Sequence, residues 1–193
     1  MASERLRFRA VTSERWADFE RLFETRGAPG YCWCMVWRAT REEAKHGDRG
    51  SRKAAMQARI CEGTPVGLLA YDGEDAPVAW CSVAPRASYR RLVRDESPDD
   101  GIWSIACFFV LRPLRGTGVM RQLIAAAVRH ARAKGAKMVE AYPVDADSPS
   151  YRFMGFVPVF AEAGFSEVGR EGTRRHVMRL ALHKPARRHS PSS

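Results

Sequence analysis

Residues 102–111, IWSIACFFVL, are apolar at every position but Ser104. The run is too short to cross a bilayer, which takes about 20 residues, and its β-branched and aromatic content predicts a strand buried on both faces. Behind it, Arg112-Pro113-Leu114-Arg115 leads into Gly116-Thr117-Gly118. Met120, Leu123, Ile124, Ala127, Val128 and Ala131 then recur at intervals of three and four, which predicts a helix with one buried stripe, closed by Gly135. A second strand is expected over residues 137–145.

Upstream, residues 6–11 alternate as a half-exposed strand. Thr12 and Ser13 offer an N-cap to a helix that buries Trp16, Phe19, Leu22 and Phe23 and ends at Gly27. A Gly27-Ala28-Pro29-Gly30 break precedes an unusual segment, Tyr31-Cys32-Trp33-Cys34-Met35-Val36-Trp37-Arg38. A second, broken helix is expected over residues 40–61, its first half polar. Residues 66–71 and 78–83 read as a hairpin around Asp72-Gly73-Glu74-Asp75. A charged loop fills 85–101. Downstream, a helix over about 153–163 tolerates Pro158 only with a late start or a kink, and 165–168 with 174–182 make a closing hairpin. The order β-α-α-β-β-β-α-β-α-β-β predicts a mixed α/β fold: one domain over 1–183, with a disordered basic tail over 184–193.

The length of 193 residues and the apolar content of 45% suit one compact core. The charged N-terminus lacks an apolar h-region, so neither export nor membrane spanning is expected, and a cytoplasmic protein is. Five cysteines, an odd number, read as free thiols in a reducing compartment. Cys32 and Cys34 are the only close pair, and His46 and Cys61 complete no familiar zinc spacing, so no metal is expected. The net charge of +10 is dispersed along the chain without an aromatic-interleaved stripe, which argues against a nucleic-acid partner.

Strand, glycine turn and helix form an arrangement with chemical consequences. Glycines let backbone approach a ligand, and the free N–H groups of a first helical turn favour an anion such as phosphate. Simple steric relief in a turn is the alternative. The nucleotide-hydrolase loop needs Gly-Lys-Ser/Thr where this chain has Gly118-Val119-Met120, and the dinucleotide fingerprint needs a glycine where Arg121 stands.

Arg115-Gly116-Thr117-Gly118-Val119-Met120 resembles the coenzyme A motif of the GCN5-related N-acetyltransferases, departing from it at Met120, where that family has a small residue. Ala161-Glu162-Ala163-Gly164-Phe165 resembles the family's late helix-to-strand signature, and residues 78–85 its third strand. The Cys-Trp-Cys-Met segment and residues 140–145 look like a bacterial subgroup. The resemblance implies a central mixed sheet of about seven strands, with strands four and five splayed. It further implies direct acetyl transfer from acetyl-CoA to an amine of a small molecule or peptide in a ternary complex. Phe108, Phe109 and Val110 would hold the pantetheine arm, and Arg115, Gly116, Thr117, Gly118, Val119, Met120 and Arg121 the diphosphate. Tyr31, Trp33 and Trp37 fall where the acceptor pocket is lined, with core packing as the alternative for the segment.

The family's usual acid and base positions carry Phe160 and Ser104, neither of which fills those roles. Glu140 and Tyr142 share a strand face by period-two spacing and stand as candidate base and acid, with Asp145 at the strand's C-terminal end and Tyr151 as a weaker acid, while His130 reads as a surface or helix-end residue. Two other functions stay open: an acyl-CoA-binding module without turnover, and a transferase acting on an RNA-linked or ribosomal-protein amine. A homodimer is compatible with either.

Overall fold

The computed structural model describes residues 6–45, 47–92 and 101–182. The expected tail over 184–193 and residues 93–100 of the charged loop lie outside the described residues. Seven strands form one sheet: β1 (Arg7–Ala10), β2 (Leu68–Tyr71), β3 (Pro77–Pro85), β4 (Ile102–Val110), β5 (Met138–Ala141), β6 (Ser166–Glu171) and β7 (Arg175–Ala181). Their order is β1-β2-β3-β4-β5-β7-β6. All neighbours run antiparallel except β4 and β5, which are parallel. Among the described residues five α-helices flank the sheet: α1 (Trp16–Glu24), α2 (Arg41–Lys45), α3 (Arg49–Cys61), α4 (Val119–Ala133) and α5 (Val157–Glu162). No helix among the described residues is long and apolar enough to cross a membrane.

The helix starts follow local chemistry. Thr12 does not cap α1; the chain first makes a 3-10 turn over Ser13–Arg15, and the Thr12 hydroxyl accepts from the Arg15 side chain at 3.2 Å. The broken helix over 40–61 is two helices, each with its own cap. Thr40 and Glu43 form a reciprocal capping box on α2, at 3.2 Å and 2.7 Å. Asp48 Oδ1 accepts from the Ser51 N–H at 2.9 Å and starts α3. Pro158 sits in the first turn of α5, where its missing N–H costs nothing, so the late start resolves the conflict.

Two apolar layers sandwich the sheet. On one face α4 lays down Leu123, Ile124, Ala127 and Ala131 against Val83, Ile105 and Val139. On the other, Phe19, Phe23, Trp33, Met56 and Ile60 pack on Leu69, Trp80, Cys107 and Phe109. One residue of β4 decides which side chains face which layer. Ser82 pairs with Cys107 and Val83 with Ile105, which leaves Ala106 as the extra residue of a bulge. Trp103, Ile105 and Phe108 therefore belong to the α4 layer, while Cys107 and Phe109 belong to the other.

The expected strand over 137–145 is shorter, ending at Ala141. Pro143 lacks an N–H to continue the ladder, and Val144 makes only an isolated bridge with Phe156. The β4–β5 pairing consequently covers residues 102–105 of β4 alone. From Ala106 to Val110 the β5-facing edge of β4 has no strand partner among the described residues, and the two central strands part.

Candidate active site

The parting strands open a cavity of about 710 Å³. Phe108, Phe109 and Val110 line it from the unpartnered edge, and Arg115, Gly116, Gly118, Val119, Met120 and Arg121 line it from the turn and the start of α4. Nine of the ten residues expected around the acyl carrier thus lie on one cavity. Thr117 is the exception: its hydroxyl donates to the Leu114 carbonyl at 2.8 Å and tightens the turn instead of lining the space.

Gly116 and Gly118 adopt φ of +79° and +87°, which disfavours any L side chain, and nothing lies within 4 Å of where a Cβ would stand. The turn is thus bare backbone facing open space. The α4 ladder begins with Gln122 N–H on the Gly118 carbonyl at 3.3 Å, so the N–H groups of residues 119–121 precede it. Those donors and the positive end of a 15-residue helix are groups that suit an anion. Arg115 bends back to donate from Nε to the Val110 carbonyl at 3.0 Å, which joins the turn to the strand edge. Arg121 is exposed and paired with Glu162 at 2.7 Å. Met120 fits because its side chain turns toward the core: its sulfur and the rings of Phe108 and Phe160 crowd the space beside Gly155.

The aromatic segment divides. Tyr31 and Trp37 line the cavity. Trp33, expected beside them, does not; it is fully buried and stacks on Phe23 at 5.4 Å. Trp33 and Cys34 have φ of +47° and +54°, so the turn rolls Trp33 into the α1 layer while its neighbours face the cavity. Cys32, Cys34 and Cys107 also line the cavity. Cys34 Sγ accepts from Trp80 Nε1 at 3.3 Å and Cys32 donates to the Pro29 carbonyl at 3.3 Å. Hydrogen bonding with Cys34, then burial, raises the Cys32 thiol above its ordinary value, and hydrogen bonding with Cys107 does the same for Cys34. Both therefore stay protonated at neutral pH. Among the described residues no group of three or more His, Cys, Asp and Glu is placed to hold a metal ion.

Glu140 and Tyr142, the candidate base and acid, are placed elsewhere. Both are fully buried, and neither lines the cavity. The Glu140 carboxylate accepts from Arg179 Nε at 2.6 Å and from the Tyr142 hydroxyl, with Arg86 Nη1 at 3.8 Å. Burial and the adjacent carboxylate raise the Tyr142 hydroxyl above its ordinary value. A base has to meet its substrate; this carboxylate meets only its own fold. Phe160 packs on Phe165 at 5.1 Å, Ser104 is buried beside Glu140 in the β4–β5 register, and His130 lies against Trp103 at 5.6 Å. Asp145 pairs with His176 at 3.2 Å, and Tyr151 packs beside Trp37 at 6.3 Å.

Arg152, Phe153 and Phe156 also line the cavity, and the sequence pattern does not reveal them. They stand in a 3-10 turn and a connection, where periodicity carries no signal. The described lining contains Arg115, Arg121 and Arg152 and no Asp, Glu, Lys or His.

A mixed sheet parted between two parallel strands, with a bare glycine turn and a helix start at the gap, is an acetyltransferase layout. The chain belongs to the acetyltransferase (GNAT) family, whose model matches residues 12–156. No curated protein matches it. Solved structures of the same fold include an N-acetyltransferase from Staphylococcus aureus Mu50, 12% identical, covering 93% of this chain and 99% of that one, with a TM-score of 0.57. The putative acetyltransferase yncA of Salmonella typhimurium, determined with acetyl-CoA, is 15% identical over 94% and 96% of the two chains, with a TM-score of 0.56. The PaiA N-acetyltransferase of Thermoplasma acidophilum, in complex with coenzyme A, is 11% identical over 92% and 99%, with a TM-score of 0.55. At these identities the likeness is one of fold.

Proposed function

We propose that the protein is an acetyl-CoA-dependent N-acetyltransferase that moves an acetyl group to an amine of a small molecule or peptide by direct transfer. The observation that carries this reading is the continuity of the unpartnered β4 edge with the glycine turn and the first N–H groups of α4. An extended arm bearing amides at one end and a diphosphate at the other fits both parts, and open space at Gly116 and Gly118 leaves room for the phosphates. Acetyl-CoA, when bound, supplies the activated thioester.

The chain's own groups bind, orient and exclude water. N–H groups of residues 119–121 hold the diphosphate, and main-chain groups of 108–110 align the arm as a strand would. Arg115, held on the Val110 carbonyl, keeps turn and edge in register. Phe108 and Phe109 cover the reacting end with apolar surface, which strengthens any hydrogen bond to the carbonyl oxygen. No described lining residue is a carboxylate or imidazole. An amine that arrives as the neutral base attacks the thioester carbonyl, its proton passes to water, the C–S bond breaks and coenzyme A departs as the thiolate, and holding the two reactants together supplies the rate advantage.

Two measurements test this: calorimetric binding of acetyl-CoA, and thiol release with a broad amine panel. Binding in the micromolar range with acceptor-dependent thiol release is expected. Absence of binding refutes the site, and binding without turnover on any amine makes the chain an acyl-CoA-binding module.

A further inference from the structure

The mouth of the cavity gathers most of the chain's stray apolar surface. Five large hydrophobic side chains are exposed among the described residues: Tyr31, Val36, Tyr151, Phe153 and Val168. Tyr31, Val36 and Phe153 line this one cavity, and Tyr151 packs between Trp37 at 6.3 Å and Phe153 at 6.2 Å. Four of the five thus meet at a single rim. Isolated exposed apolar residues need no explanation, but a cluster around a concave opening marks a ligand surface.

The charge of the same wall has one sign. Arg152 is the charged residue on the side away from the glycine turn, and it is held in place: Nη1 donates to the Ala146 carbonyl at 2.5 Å and the Ser148 carbonyl at 3.2 Å, and its guanidinium lies 4.9 Å from the centre of the Phe156 ring. No described carboxylate pairs with it. Behind the rim Arg175 lies 4.9 Å from the Trp37 ring, its own charge met by Glu171 at 3.9 Å. A ligand with several ammonium groups would meet arginine and aromatic edges there with no described lining carboxylate to receive it. One with an apolar body and a single anionic group meets complementary surface throughout.

We infer that the acceptor is a compact aromatic or branched aliphatic amine carrying one anionic group, with its apolar body against Tyr31, Trp37 and Phe153 and its anion on Arg152. This rests on the acetyl-transfer reading and names its substrate class. Polyamines, polycationic sugars and lysine side chains lack the anion that Arg152 would hold.

The test compares kcat/KM by thiol release for L-phenylalanine, L-leucine, L-phenylalaninamide and spermidine, in the intact chain and in Arg152→Gln and Arg152→Lys. The two apolar amino acids are expected at least tenfold above spermidine. Arg152→Gln is expected to lower the phenylalanine-to-phenylalaninamide ratio at least tenfold, and Arg152→Lys to restore part of it; using the ratio cancels the different basicities of the two amines. Preference for spermidine, or a ratio that Arg152→Gln leaves unmoved, overturns the inference while leaving acetyl transfer standing. Thiol release with none of these four but with another amine of the broad panel overturns the inference alone, and release with no amine of that panel, despite tight acetyl-CoA binding, overturns both.

Discussion

The Arg179 guanidinium donates to Glu140 Oε2 at 2.6 Å, and the Glu140 side chain has no exposed surface at all. The contact ties β7 to β5 at the point where Glu140 pairs with Arg179 across the ladder. Removing one partner of a buried ion pair strands the other charge and costs about 3–5 kcal/mol. Glu140→Ala should therefore lower the urea midpoint strongly while leaving kcat per folded molecule within about threefold. Denaturation and steady-state kinetics on one preparation separate the two effects. A kcat loss of a hundredfold at unchanged stability would return Glu140 to the chemistry.

Gly118 and Gly135 stand at opposite ends of α4 with nearly equal φ, +87° and +83°, and each has open space where a Cβ would point. A side chain at either position takes the same left-handed backbone penalty, about 1–2 kcal/mol. Only Gly118 faces the proposed diphosphate site. Gly118→Glu should raise the acetyl-CoA Kd by at least a hundredfold, whereas Gly135→Glu should share the stability loss and keep the Kd. Calorimetric titration of both variants decides it, and equal Kd values would remove the diphosphate from this turn.

How much of this could be read in the sequence depends on whether the cause was local. The α4 stripe was visible because helical periodicity repeats within the helix itself, and the glycine turn because backbone conformation at Gly116 and Gly118 restricts the residue type. The bulge at Ala106 was not, since β4 is apolar on both faces and a flip of register leaves no trace in an unbroken apolar run. Period-two spacing put Glu140 and Tyr142 on one face correctly, yet could not show that Arg179, 39 residues away, waits on the adjacent strand. Trp33 and Trp37 are the same residue in the same segment; only the positive φ values at Trp33 and Cys34 separate core from rim.

Glu43 links two helices: its carboxylate accepts from Arg59 at 2.8 Å and from the Thr40 N–H at 2.7 Å. The Arg59 hydrogen bond, then that cap, pull its pKa down to about 2 from 4.5, against desolvation. A depressed folded-state pKa contributes stability that is complete above the unfolded value and is lost as pH falls through the folded one. With partial exposure and salt screening, about 1 kcal/mol is a fair magnitude. Glu43→Gln should thus be less stable at pH 7 by about that amount, with the gap shrinking below about pH 4.5 and closing near pH 2. Chemical denaturation of both proteins across that window measures it; a gap constant with pH would mean the ion pair contributes nothing.

The cavity thiols give a chemical handle on the same site. Cys61 is exposed, whereas Cys32 and Cys34 face the cavity and are held protonated, Cys32 by its hydrogen bond with Cys34 and by burial, Cys34 by its hydrogen bond with Cys107 and by burial. Thiolate is the reactive form, so a raised pKa means slower alkylation at any given neutral pH and a rate that keeps climbing as pH rises. Iodoacetamide at pH 7.5 should label Cys61 at least tenfold faster than Cys32, and saturating acetyl-CoA should slow Cys32 further without touching Cys61. Peptide mass mapping over a labelling time course reads both rates. Incubation with acetyl-CoA alone should leave the intact mass unchanged, because protonated thiols do not displace coenzyme A. A stable mass gain of one acetyl group on Cys32, Cys34 or Cys107 would replace direct transfer with a covalent relay.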